Sequence, residues 1–302
     1  MVRVLRSPLD AASCALFPSR CRLCDEPLLH LSAAPVCLAC WQQLSTQTAA
    51  LCTLCGEALG LQASFRRIEQ TQREDQPSRS TPFVGEALCE LCQRQRPAFA
   101  RAAAYGEYAG TLRALIHLLK YEHVTTVAAP LGAHLAQAIR SLPNLPSELT
   151  VVAVPLHPIK ERQRGFNQTI LLAEQALQAL RQKSPSHQTS QALRITPALR
   201  ALGRQRATES QSGLTSHERR RNLRGAFFVA ESEKIAGRAV LLLDDIYTTG
   251  ATARECTRVL LAAGASAVYV ATLARSQREG VAYWDAPALP RAGQASQGVL
   301  AY

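Results

Sequence analysis

No apolar run in this 302-residue chain approaches the ~20 residues needed to span a bilayer. The front, with Asp10 and the polar Ser19-Arg20 near Leu16-Phe17, makes a poor secretory leader. A cytoplasmic protein with no transmembrane segment is therefore expected. Lysine is scarce: only four of the 34 basic residues are lysines, so arginine carries most of the +11 net charge. Arginine suits bidentate contacts to phosphate and so fits pyrophosphate or nucleic acid, although a GC-rich genome gives the same bias with no functional meaning. Aromatic residues are also few, at 5%, which advertises no base-stacking surface. What is plentiful is apolar content, 47%, ample for a sizeable core, and the length suggests two domains.

Cysteine, by contrast, is patterned. Eight of the ten cysteines form four Cys-x-x-Cys pairs: Cys21/Cys24, Cys37/Cys40, Cys52/Cys55 and Cys89/Cys92. In a reducing compartment disulfides are disfavoured, whereas a Cys-x-x-Cys turn aims two thiolates at one tetrahedral Zn2+. Eight ligands fill two sites, and loss of one would leave a single zinc. Sequential pairing joins Cys21, Cys24, Cys37 and Cys40, then Cys52, Cys55, Cys89 and Cys92; a cross-braced arrangement uses the same residues, and spacing does not choose between them. The polar stretch 64–80 reads as an insertion in the second loop, and Gly56 fits a tight metal-knuckle turn. So short a segment, with few large apolar side chains, needs metal to fold, so the sites are read as structural. A redox dithiol would sit in a βαβ unit, and none surrounds these pairs. Cys256, outside the pattern, reads as a small buried hydrophobe.

The most pointed stretch is Val240-Leu241-Leu242-Leu243-Asp244-Asp245-Ile246-Tyr247-Thr248-Thr249-Gly250-Ala251-Thr252. An apolar strand over 239–243 runs into two carboxylates and then into a hydroxyl-rich turn opening a helix over 252–263. Thr248, Thr249 and Thr252 around Gly250 offer hydroxyls and free amides where the helix dipole favours a phosphate. Asp244 and Asp245, at the carboxyl end of the strand, can accept hydrogen bonds from vicinal ribose hydroxyls. The plainer alternative is an acidic decoration on an ordinary capped helix; two acids and three threonines within nine positions exceed what a cap needs.

Around it the chain alternates strands and helices. A strand near 102–105 precedes a helix over 111–120 with Leu112, Leu115, Ile116 and Leu119 on one face; another helix spans 127–142. A strand over 149–154 leads through a basic loop, 160–168, into a helix over 168–180 capped by Asn167. Arg162, Arg164 and the Gly165 amide are candidate pyrophosphate donors, or else part of a solvated charged loop; His157 alone reads as structural. Segment 184–191 reads as a linker. Residues 200–224 hold seven arginines against Glu209 and Glu218, a composition suited to a flexible cover over an anion or a groove for a phosphate backbone, or to a solvated helix. Strands over 226–229 and 267–273 follow. The expected organisation is a 1–19 extension, a 20–96 Cys-rich zinc-ribbon module, a 97–275 α/β domain, and a disordered 276–302 tail.

Taken together, the paired cysteines, Lys120-Tyr121, Val154-Pro155 with Arg164-Gly165-Phe166-Asn167-Gln168, Gln211 through Arg219 to Asn222, and Asp244-Asp245 with Thr248-Thr249-Gly250-Ala251-Thr252 resemble the ComF family, of the ComFC/GntX type, over about residues 20–275. The acidic and threonine motif itself resembles the phosphoribosyl pyrophosphate (PRPP) motif of type I phosphoribosyltransferases. Two departures stand out: Glu209-Ser210 where the family more often shows Pro-Pro, and the 64–80 insertion. The resemblance implies a type I phosphoribosyltransferase-like parallel sheet flanked by helices behind a zinc ribbon. It implies PRPP bound with Mg2+ through Lys120, Pro155, Leu156, Arg162, Arg164, Gly165, Tyr247, Thr248, Thr249, Gly250, Ala251 and Thr252, with Asp244 and Asp245 catalytic. Arg200, Arg204, Arg206, Gln211 and Arg219 fall on the expected flexible basic loop. A role in competence or DNA utilisation follows, with single-stranded DNA and a competence helicase as partners. One alternative is a DNA-binding accessory factor whose transferase site is a sensor or relic; another is a purely structural zinc adaptor.

Overall fold

The computed structural model describes residues 19–28, 33–47, 50–59, 87–182, 193–206 and 221–277. Seven strands are present among them: β1 Arg101–Glu107, β2 Glu148–Ala153, β3 Arg194–Pro197, β4 Leu202–Arg204, β5 Phe227–Val229, β6 Ala239–Tyr247 and β7 Ala267–Arg275. Five of these form the central, all-parallel sheet in the order β1-β7-β6-β2-β3, and the short β4 and β5 pair antiparallel beside it. Central strands of such a sheet are apolar on both sides because helices cover both faces. Alternation along β6 shows this: Leu241 and Leu243 join one core, Val240 and Leu242 the other.

Beyond the short cysteine-module helices α1 Leu38–Gln42 and α2 Glu90–Arg94, the helices are α3 Gly110–Tyr121, α4 Ala128–Arg140, α5 Pro158–Arg164, α6 Gln168–Arg181 and α7 Ala251–Ala262. Apolar stripes of α3, α4 and α6 build the first core, and α7 builds the second. Helices α4 and α6 approach closely at Gly132, where an added Cβ would fall 2.3 Å from Gln175 Cβ and 2.9 Å from the Ala176 amide. Among the described residues no helix is long and apolar enough to cross a membrane.

The fold class is the one expected, with three local differences. Residues 160–164 of the expected basic loop belong to the helix α5. His157 accepts the Ile159 amide at its start, Pro158 stands in the first turn, and left-handed Gly165 ends it. Strands β3 and β4 had no sequence signal: both are short, and β3 ends in Pro197, which an edge strand tolerates. Arg200, Arg204 and Arg206 belong to the β4–β5 hairpin region and are anchored there. Arg200 pairs with Glu161 at 3.5 Å, Arg204 lies over the Phe227 ring at 5.3 Å, and Arg206 donates to the carbonyls of Asn222 and Arg224 at 2.6 and 3.0 Å. A flexible loop was expected over 200–224; these three arginines make the contacts above, and residues 207–220 lie outside the described residues. Gln211 and Arg219, like the 64–80 insertion and the 184–191 linker, lie outside the described residues.

Candidate functional site

The four cysteine pairs assemble in sequential order. Cys21, Cys24, Cys37 and Cys40 form one cluster and Cys52, Cys55, Cys89 and Cys92 the other, with all four Sγ atoms of each within 4.8 Å of one another. A tetrahedron of Zn–S bonds of about 2.3 Å has edges of about 3.8 Å. The Cys21–Cys40, Cys24–Cys37 and Cys55–Cys89 separations are 3.8, 3.6 and 3.6 Å. Donor set, count and spacing thus fit structural Zn2+ at each cluster. The knuckle turn at Gly56 forms as expected, its amide donating to the Cys52 carbonyl at 2.9 Å.

The second assembly surrounds β6. Asp244 and Asp245 lie inside the strand, which continues to Tyr247, and its alternation sends them to opposite faces. Asp245, 5% exposed, is held by the Lys120 ammonium at 2.8 Å and by the Gln168 amide at 2.7 Å, and Gln168 in turn accepts from Arg164. Helices α3 and α6 thereby converge on one carboxylate. Asp244 instead lines a cleft together with Tyr247, Thr248, Gly250, Thr252 and Thr272. Burial pushes its carboxyl up to about 8, and the adjacent Asp245 carboxylate adds to the effect, while Lys120 and Arg204 oppose it.

Gly250 is left-handed at φ 75° and caps α7 without a side chain, so the amides of the first turn are not consumed by a capping residue, apart from that of Ala251, which donates to Thr249 Oγ1 at 3.4 Å. A Cβ at Gly250 would fall 2.2 Å from the Tyr247 hydroxyl, so the tyrosine forms the floor of the turn. Burial raises the Tyr247 phenol to about 12.

The structure therefore gathers Asp244, Tyr247, Thr248, Gly250 and Thr252 at one cleft, flanked by Thr249 and Ala251. It places Lys120, Arg164 and Asp245 in a network across the strand. Pro155 and Leu156 follow β2, half-buried, and Arg162 and Gly165 are exposed at the end of α5. Two residues escaped the sequence reading. Gln168 was visible only as part of a motif. Arg275 was signalled only as a charge ending an apolar strand; it is 3% exposed.

Parts of the chain are similar to known proteins. Residues 12–72 match the double zinc ribbon domain, a span holding the first six paired cysteines and stopping short of Cys89 and Cys92. The DNA utilization protein YhgH of Escherichia coli K12 is 29% identical over 250 residues, 82% of this chain and 99% of that protein. Competence protein F of Haemophilus influenzae is 29% identical over 211 residues, 66% of this chain and 86% of that one. Among solved structures, a glutamine PRPP amidotransferase from B. subtilis aligns at 20% identity with a TM-score of 0.30, over 49% of this chain and about a quarter (26%) of that one. At about 29% identity, over 82% of its length in one case and 66% in the other, the chain is thus similar to proteins named for DNA utilization and for competence, with a front that matches the double zinc ribbon domain.

Proposed function

We propose that this chain binds PRPP with Mg2+ in the cleft beside β6 and acts as a phosphoribosyltransferase-like protein in DNA uptake or utilisation. The observation that carries the reading is the 248–252 turn. Its left-handed glycine cap aims amides of α7 toward the same cleft that Asp244 lines, which suits a 5-phosphate and a ribose hydroxyl side by side. Asp244 is the ribose-facing acid; Asp245, held by Lys120 and Gln168, positions the strand and shares the negative charge. Pro155, Leu156, Arg162, Arg164 and the Gly165 amide are assigned to the pyrophosphate, with Arg200, Arg204, Arg206, Gln211 and Arg219 as further cationic or polar cover. A divalent cation bound with PRPP would neutralise the departing pyrophosphate. The residues' contribution is then electrostatic: they orient the sugar phosphate and stabilise charge as the glycosidic bond loosens. The names of the relatives support the cellular setting.

Calorimetric titration with PRPP, with and without Mg2+, tests this. Mg2+-dependent binding is expected, and the Asp244→Asn/Asp245→Asn variant should lose it; unchanged affinity in the variant rejects the assignment.

A second reading, a single-stranded DNA-binding accessory factor, is favoured by one observation. Tyr121 is 64% exposed, with the Arg164 guanidinium 5.7 Å from its ring centroid and His117 5.1 Å away, a stacking surface within a basic setting despite the few aromatics. Binding to an oligonucleotide should then weaken steeply with salt, and salt-independent binding rejects it.

A further inference from the structure

Arg275, the last residue of β7, is buried between the second cysteine cluster and the turn beneath the cleft. Its Nη1 donates to the Cys55 carbonyl at 2.7 Å, and its Nη2 lies 3.4 Å from Cys55 Sγ and 3.2 Å from Glu57 Oε2. Its guanidinium carbon sits 4.2 Å from the centroid of the Tyr247 ring. Tyr247 is 5% exposed, is held edge-on by Phe99 at 6.4 Å, and floors the turn at Gly250. A line of buried contacts thus runs from a metal-site thiolate through a guanidinium and an aromatic ring to the glycine cap of α7.

Arginine suits this post. Its planar fork reaches a carbonyl, a sulfur and a carboxylate together while its face stacks on a ring, which a lysine ammonium cannot do. A four-cysteine cluster closed around Zn2+ fixes the Cys55 carbonyl and sulfur in place. An opened cluster would free the Cys55 carbonyl and sulfur that Arg275 touches, and so loosen the cation packed on the Tyr247 ring. The glycine turn above then rests on a less firmly held ring.

We propose that Arg275 is a positioning residue that ties the shape of the 248–252 turn to the metal-bound state of the Cys52/Cys55/Cys89/Cys92 cluster, acting through Tyr247. The inference rests on the reading of that turn as the phosphate-binding element of the PRPP site. It makes the second zinc cluster a determinant of ligand affinity as well as of folding.

The test uses the full chain, wild type and Arg275→Lys, measured for metal content, for PRPP affinity in Mg2+ by calorimetry, and for absorption after cobalt replaces zinc. Arg275→Lys keeps the charge but not the fork. It should hold the same metal content yet bind PRPP about tenfold more weakly, a loss of about 1.4 kcal/mol. PRPP added to the cobalt-substituted wild type should change the thiolate-to-metal absorption bands, and should leave those of Arg275→Lys unchanged. PRPP affinity in a fully metallated Arg275→Lys equal to that of wild type overturns the proposal, and so does PRPP binding to the wild type with no change in the cobalt bands. If Arg275→Lys does not fold, the wild-type cobalt titration decides alone. A wild type that binds no PRPP overturns the phosphate-site reading and this inference together, a result distinct from a wild type that binds and a variant that matches it.

Discussion

The two cysteine clusters share a ligand set but not a setting. In the first, Cys24 is exposed and Cys37 half-buried. Its polar ties to the sheet domain include the exposed Arg22–Glu122 pair, the Thr111 hydroxyl on Gln43 at 2.6 Å, and Gln47, whose backbone and side-chain amides donate to the Tyr105 and Ala104 carbonyls of β1 at 3.3 and 3.4 Å, added to apolar contacts of Leu28 and Val36. In the second, all four cysteines are buried, Leu54 accepts the Ala102 amide of β1 at 2.8 Å, and Arg275 reaches in from β7. Both clusters join a core that the sheet itself uses, but only the second is buried at all four cysteines and takes a charged side chain from β7 against its ligands. Identical donor chemistry therefore carries different weight according to how much buried polar structure depends on it.

Four substitutions put the contrast at risk, beginning with the harshest. Cys89→Ser should abolish soluble, cooperatively folded protein, because losing a structural zinc site forfeits a large part of about 10–16 kcal/mol of binding energy, against a net stability of about 5–15 kcal/mol. A circular-dichroism melt like that of wild type would erase the distinction. Glu57→Ala leaves the Arg275 charge buried without its carboxylate and should cost about 3–5 kcal/mol in denaturant unfolding. A cost near zero would show that Cys55 alone suffices for Arg275. Cys24→Ser, at the exposed ligand, should lower the metal content by one zinc per chain and destabilise less than Cys89→Ser, with the sheet domain still melting cooperatively. Global unfolding here would make the clusters equivalent. Arg22→Ala, removing an exposed ion pair, should shift stability by less than about 1 kcal/mol; a larger shift in the melt would mean the first cluster is braced by charge after all.

The sequence was legible where pattern and packing agree. The strand and helix alternation, the capping by Asn167 and the threonine turn before α7 all appear where local residues ask for them. It was misleading at Asp244-Asp245. Two adjacent acids look like the end of a strand and like a matched pair, yet β6 runs on through both. Asp245 can sit inside because Gln168, 77 positions earlier in the chain, and Lys120 satisfy it. No local signal reveals a partner that distant. The order in which cysteine pairs meet was likewise invisible in spacing, since it depends on which strand each knuckle docks beside. The α5 helix was missed because its basic composition outweighed the His157-Pro158 start and the Gly165 stop. Arg275 was passed over because a charge closing a strand is commonplace; only the fold shows that it points inward at Cys55.

The strand order β1-β7-β6-β2-β3 places the final described strand between β6 and the first. During synthesis, therefore, β1 has no neighbour in the sheet until β7 has emerged from the ribosome, and Cys55 waits through 220 residues for the arginine that will bond it. The front of the molecule is made first and finished last. Until that arginine arrives the thiols of the second cluster lack their covering side chain, and metal capture is what keeps them from oxidation.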